Sequence, residues 1–94
     1  MSLSVVIPTL EEERYVGVAV ASVREEADEV LVVDGGSSDG TRRRAAEAGA
    51  RVLDSPRGRG VQLHRGAREA RGDWLVFLHA DTRPQEGWIP ALRK

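Results

Sequence analysis

Leu31-Val32-Val33-Asp34-Gly35-Gly36-Ser37-Ser38-Asp39-Gly40-Thr41 decides the fold of this chain. A β-branched apolar run ends in an acid, two glycines and two serines follow, and Asp39-Gly40-Thr41 opens a helix-like tract. A strand apolar on both faces belongs inside a parallel sheet, and open parallel sheets hold their ligands beyond the strands' carboxyl ends. An Asp at the lip of such a strand, beside backbone suited to glycine, points to a nucleotide pocket rather than a packing device.

Outward from this stretch, two periodicities alternate. Leu3 to Ile7 reads as a short buried strand stopped by Pro8. Glu11 to Ala27 carries Val16, Val20, Val23 and Ala27 at helical spacing with charges opposite. Glu29 to Asp34 is the second strand, and Gly40 to Ala48 a second helix closed by Gly49. Arg51 to Asp54 gives a third strand, Gly60 to Arg71 a third helix ending at Gly72, and Asp73 to Leu78 a fourth strand. Gln85 to Arg93 forms a weak terminal helix interrupted by Pro90. Strand-helix alternation with short connections implies right-handed crossovers and a parallel sheet covered on both faces.

The 94 residues make one small domain, and no apolar run is long enough to span a bilayer. The absence of cysteine excludes disulfides and thiolate metal sites and fits a cytoplasmic setting. Charge is uneven: residues 1–41 hold nine acids against Arg14 and Arg24, whereas residues 42–71 hold nine arginines against Glu47, Asp54 and Glu69. The basic segment suits a phosphorylated ligand or an acidic membrane surface, and solvated helix faces account for most of it. Few aromatics and no net basicity argue against nucleic acid as a partner.

Pro8-Thr9-Leu10-Glu11-Glu12-Glu13 follows the first strand where a dinucleotide-binding unit needs a glycine-rich turn and a P-loop needs Gly-Lys-Ser/Thr. Both classes drop out, and a nucleotidyltransferase, which opens with a glycine-rich basic loop, fits poorly. Four segments in order resemble the family-2 glycosyltransferases of the GT-A type. They are Val5 to Glu13, Val33 to Thr41, Gly58 to Ala67, and Ala70-Arg71-Gly72-Asp73 running into Phe77-Leu78-His79-Ala80-Asp81. Asp-Gly-Gly-Ser combined with Leu-His-Ala-Asp-Thr looks most like a small bacterial subgroup. The resemblance implies an α/β/α sandwich on a parallel sheet, of the Rossmann-like GT-A type. Residues 1–94 would be a truncated, donor-binding part of a longer domain.

It further implies metal-assisted, inverting transfer of a sugar from a UDP- or GDP-sugar to an unknown acceptor, in cell-envelope or polysaccharide biosynthesis. The alternative is a non-catalytic nucleotide-diphosphate-binding module acting with a partner chain. In the family the first loop passes the base and ribose, so Pro8, Thr9, Leu10 and Glu12 carry over as base-side contacts. Thr9 and Glu12 also have the spacing of a helix capping box. Asp34 would bind base or ribose, its bland role being a cap for the loop after it. Gly35 stands where the family has a second acid, so one usual base contact is missing. Asp39 suits the start of the second helix.

Arg57, Arg59 and Gln62 beside the third helix start suit a diphosphate. The family's acid-any-acid triplet, which holds Mn²⁺ or Mg²⁺, falls on His79-Ala80-Asp81. Asp81 keeps the last acid and His79 replaces the first, which favours Mn²⁺, with Ala80 in the nucleotide-binding set. The general base is expected past Lys94. The fourth strand, left as an apolar edge, is expected to drive homo-oligomerisation there or around Trp88, and peripheral membrane association is open to the full-length protein.

Overall fold

The computed structural model describes residues 2–80. Asp81, Trp88 and the terminal helix expected at 85–93 lie outside the described residues. Seven elements alternate in the expected order: β1 (Leu3–Thr9), α1 (Val16–Arg24), β2 (Glu29–Asp34), α2 (Thr41–Glu47), β3 (Arg51–Asp54), α3 (Arg59–Glu69) and β4 (Trp74–Phe77). The four strands form one parallel sheet in the order β3-β2-β1-β4. The chain steps outward from β1 through β2 to β3, then returns past β1 to β4.

Right-handed crossovers in opposite directions place helices on opposite faces. Accordingly α1 and α2 cover one face, where Leu3, Val5, Ile7, Val30 and Val32 pack with Val16, Ala19, Val20, Val23 and Ala45. On the other face Val6, Leu31, Val33 and Leu53 pack with Leu63 and Ala70, on and just after α3. Alternate residues of each strand thus feed two cores, which explains the unbroken apolar runs in β1 and β2. Each fully buried Val, Leu or Ile contributes about 1.5–3 kcal/mol. The reversal of direction makes the gap between β1 and β4 the sheet's switch point, where ligands of open α/β folds bind.

β1 runs through Pro8 rather than stopping there. Within β1 the Val6 carbonyl accepts from the Leu78 amide (3.0 Å), on the β4 side, and the Thr9 carbonyl from the Gly35 amide (3.0 Å), on the β2 side. Pro8 therefore turns its nitrogen toward the β4 side, past Phe77, the last β4 residue in register, and the missing N–H costs no ladder bond. The expected helix from Glu11 begins only at Val16, because residues 10–15 form a loop in which Glu11 takes a left-handed φ of 53°. α2 ends as expected, with Gly49 at φ 105°. α3 stops at Glu69, before Gly72, and Ala70 is already extended.

β4 is a sheet edge among the described residues, with Trp74 51%, Leu75 38% and Phe77 49% exposed. Among the described residues no helix is long and apolar enough to cross a membrane.

Candidate functional site

The carboxyl ends of β1 and β2 are stitched together by side chains reaching across the two following loops. The Thr9 hydroxyl donates to Asp34 Oδ1 (2.8 Å). The Ser37 hydroxyl donates to the same oxygen (2.6 Å), while the amides of Ser37 (2.7 Å) and Gly36 (3.1 Å) donate to Oδ2. Arg42 lies 3.9 Å from that carboxylate and pairs with Asp54 at 2.9 Å. Burial pushes the Asp34 carboxyl up, and the bonds from Ser37, Thr9 and Gly36 outweigh it, so its pKa lies below the ordinary aspartate value. Asp34 is wholly buried and caps the loop. The carboxylate expected to meet a base is thus occupied within the chain.

A second set of bonds joins the loops farther out. Glu11 Oε1 accepts from the Ser38 amide (2.9 Å) and hydroxyl (2.8 Å), and the Glu11 amide donates to Ser37 Oγ (2.9 Å). The Glu12 amide donates to Thr41 Oγ1 (2.9 Å), and Glu13 Oε1 accepts from the Gly40 amide (2.9 Å). Asp39 accepts from the Thr41 amide (3.0 Å) and also from its hydroxyl, so it serves the start of α2 as expected. The Thr9–Glu12 capping box does not form: Thr9 is a strand residue bonded to Asp34, and α1 starts four residues after Glu12. The sequence reading missed Glu11 and Glu13 as loop braces. Their signal was three carboxylates facing a glycine-serine loop rich in backbone amides.

Beside this braced pair the switch point opens into a cavity of about 170 Å³ lined by Pro8, Thr9, Leu10, Glu12, Arg59, Gln62 and His79. A smaller void of about 30 Å³ adjoins it, lined by Pro8, Arg59, Leu63, Phe77, Leu78 and His79. The structure therefore unites seven expected site residues that are as far as 71 positions apart in sequence (79 − 8). Leu78 and Ala80 turn into the core under α1, and His79 between them is exposed at the cavity mouth. Ala80 is buried rather than on the cavity wall.

Asp34 and Gly35 lie behind the wall, Gly35 directly against the Gln62 amide. Gln62 is only 5% exposed, and its amide is engaged with backbone. Among the described residues no three His, Cys, Asp or Glu side chains gather as a metal site.

The starts of the helices differ in their electrostatics. Carboxylates of Glu13 and Asp39 serve the start of α2, and Glu11, Glu12 and Glu13 precede α1. All three helices lack an acid in the first turn and a side-chain cap, but no carboxylate stands among residues 55–58 before α3, and Arg59 is its first residue. An anion is favoured at such a helix start and disfavoured at the other two.

A parallel sheet with helices on both faces and a polar crevice at its switch point is the architecture of the open α/β folds, which hold their ligands at such a point. The profile of glycosyl transferase family 2 matches residues 4–94, and the chain belongs to that family. It is 35% identical, over 97% of its length, to glucosyl-3-phosphoglycerate synthase of Mycolicibacterium paratuberculosis, and covers 32% of that enzyme. An uncharacterized glycosyltransferase of Mycobacterium bovis is 34% identical over 97% of the chain, which covers 42% of it.

Glucosyl-3-phosphoglycerate synthase of Mycobacterium tuberculosis, solved with Mn²⁺, UDP-glucose and phosphoglyceric acid, superposes with a TM-score of 0.84 at 33% identity. That match covers 95% of this chain and 36% of the solved one. The fold is GT-A, and the chain spans about one third of the length of these synthases.

Proposed function

We propose that this chain forms the donor-binding part of a glycosyltransferase and holds a nucleoside-diphosphate sugar, a UDP-sugar first among them, in the β1–β4 crevice. The observation that carries this reading is the convergence of Pro8 to Leu10, Glu12, Arg59 and His79 on one cavity at the switch point. Pro8, Thr9, Leu10 and Glu12 form the base and ribose side. Arg59 and the first amides of α3 take the diphosphate, whose charge that helix start suits. Asp34 and Gly35 contribute from behind, by fixing the loop and shaping the floor.

His79 stands at the mouth beside Arg59, where an imidazole can reach a cation that a diphosphate also binds. A divalent ion would be held by His79 and Asp81 together with phosphate oxygens, and the imidazole ligand favours Mn²⁺ over Mg²⁺. Such an ion supplies charge neutralisation for the departing diphosphate. The residues' own work is to orient the donor: Arg59 anchors the phosphates, and the β1 loop fixes the nucleoside.

The test is a titration of UDP and GDP, each with and without Mn²⁺, into wild-type protein and Asp81→Ala. UDP binding strengthened by Mn²⁺ in the wild type only is the expected result. No shift in resonances or melting temperature with any nucleotide would overturn the reading. Binding without sugar transfer or donor hydrolysis would favour the alternative, a module completed by a partner chain.

A further inference from the structure

Gln62 is a buried polar side chain in the crevice wall, and its amide is fully engaged inside the chain. Nε2 donates to the Thr9 carbonyl (2.8 Å) and the Val33 carbonyl (2.9 Å), and Oε1 accepts from the Gly58 amide (3.3 Å). One side chain thereby touches the last residue of β1, the penultimate residue of β2 and the residue before α3. A ligand would have to break these bonds to use it, so its value lies in what it holds. Gly66, one turn along the same buried line of α3, makes the reach possible. A Cβ there would lie 2.4 Å from Val6 Cγ1, so only glycine lets the helix come this close to the sheet.

Gly35 completes the arrangement. A Cβ at residue 35 would lie 2.9 Å from Gln62 Cδ and Oε1 and 3.1 Å from Nε2. A terminal amide usually swings aside from such an intruder. This one is tied in three directions and buried, so moving it breaks the ties.

We infer that Gln62 is a positioning residue that sets the width of the donor crevice, and that Gly35 is the steric condition for it. The inference rests on the donor reading and goes beyond it. Pro8 and Thr9 line the crevice from β1 and Arg59 lines it from the start of α3, and the Gln62 amide is a direct tie between these two elements. A ligand that spans both walls senses the spacing, whereas a nucleoside resting on the β1 wall alone does not.

The test uses the full chain as Gln62→Ala, Gly35→Ala and the double variant, with uridine and UDP titrated by NMR. Gln62→Ala and Gly35→Ala are each expected to weaken UDP about tenfold, the scale of one displaced charge-assisted contact, and to change uridine by less than about twofold. The double variant should bind UDP no worse than Gln62→Ala, because the added Cβ then meets no amide. In the wild type the Gln62 side-chain amide protons should exchange slowly with solvent, and Gly35→Ala should remove that protection.

Unchanged UDP affinity in folded Gln62→Ala would overturn the inference. So would equal losses for uridine and UDP, the mark of a merely structural role, or losses that add in the double variant. If wild-type protein binds no UDP, the donor reading fails by itself. Positioning is then decided by the Gln62 amide exchange and by non-additivity of the two substitutions in melting temperature.

Discussion

The Thr9 hydroxyl donates to Asp34 Oδ1 across 2.8 Å, joining the last residues of two neighbouring strands by their side chains where their backbones also pair. That bond belongs to a carboxylate that collects four donors in a fully buried position. Asp34→Ala leaves all four without an acceptor and is expected to cost about 3–5 kcal/mol. Asp34→Asn should be nearly as damaging, because its NH₂ would face donor groups. Urea midpoints measure both, and a loss under about 1 kcal/mol would refute the capping role.

Acid should weaken the protein through the same group. Asp34 lies below its ordinary value of 3.8: burial raises it, and the Ser37, Thr9 and Gly36 bonds lower it further. Glu29 lies below 4.5, with burial again opposed by bonds from the Arg71 amide and the Ser4 hydroxyl. The unfolded chain takes up these protons first, so the contribution is complete above the unfolded values. It declines as pH falls past them and is gone below the folded ones. Urea midpoints at pH 7, 5, 4 and 3 should fall along this limb, and Asp34→Asn should flatten it.

Gly66→Ala tests the close approach of α3 to β1. The added methyl meets Val6, and overpacking of this kind costs about 1–3 kcal/mol. Val6→Ala in that background should recover part of the loss. If Gly66→Ala melts like the wild type, the helix has room that the structure denies.

Arg59→Met removes the charge at the head of α3 and keeps the stem. UDP affinity should fall roughly tenfold or more while uridine binding and melting temperature hold, and Arg59→Lys should fall between. Equal losses for UDP and uridine would remove Arg59 from the phosphate side.

The β4 edge should associate. Leu75 and Phe77 are exposed on an edge strand that pairs only with β1 among the described residues, and such edges pair with other chains. Light scattering is expected to show a dimer or larger species, and Leu75→Lys with Phe77→Lys should shift it toward monomer. A clean wild-type monomer at high concentration would rule this out.

Strands were legible in the sequence because burial on both faces writes itself as consecutive Val, Leu and Ile. β2 and β3 match residue for residue. Pro8 misled, since the same residue that ends an interior ladder is harmless where the neighbouring strand has already stopped. The start of α1 misled for another reason. Thr9 and Glu12 satisfy a local capping pattern, but partners 25 and 29 residues away, Asp34 and Thr41, take Thr9's hydroxyl and Glu12's amide.

The candidate site divides along the same line. Pro8, Arg59 and His79 were recognisable from position at strand and helix ends, and they do meet. Asp34 and Gln62 suit ligand contact as polar groups near a pocket. Only the three-dimensional neighbours show Asp34 accepting from two amides and two hydroxyls, and Gln62 bonded to backbone. A hint was available for Gln62: it shares a helix face with Gly66, four residues on, where an outward-facing polar residue would not sit.

The braces between Glu11, Glu13 and the Ser37–Gly40 loop have an implication for descent as well as for folding. Two segments 26–27 residues apart hold each other's amides, so neither can drift alone without stranding the other's donors. They should be inherited as one unit. A chimera that imports the Asp-Gly-Gly-Ser-Ser-Asp-Gly loop without its matching glutamates would inherit its letters and lose its shape.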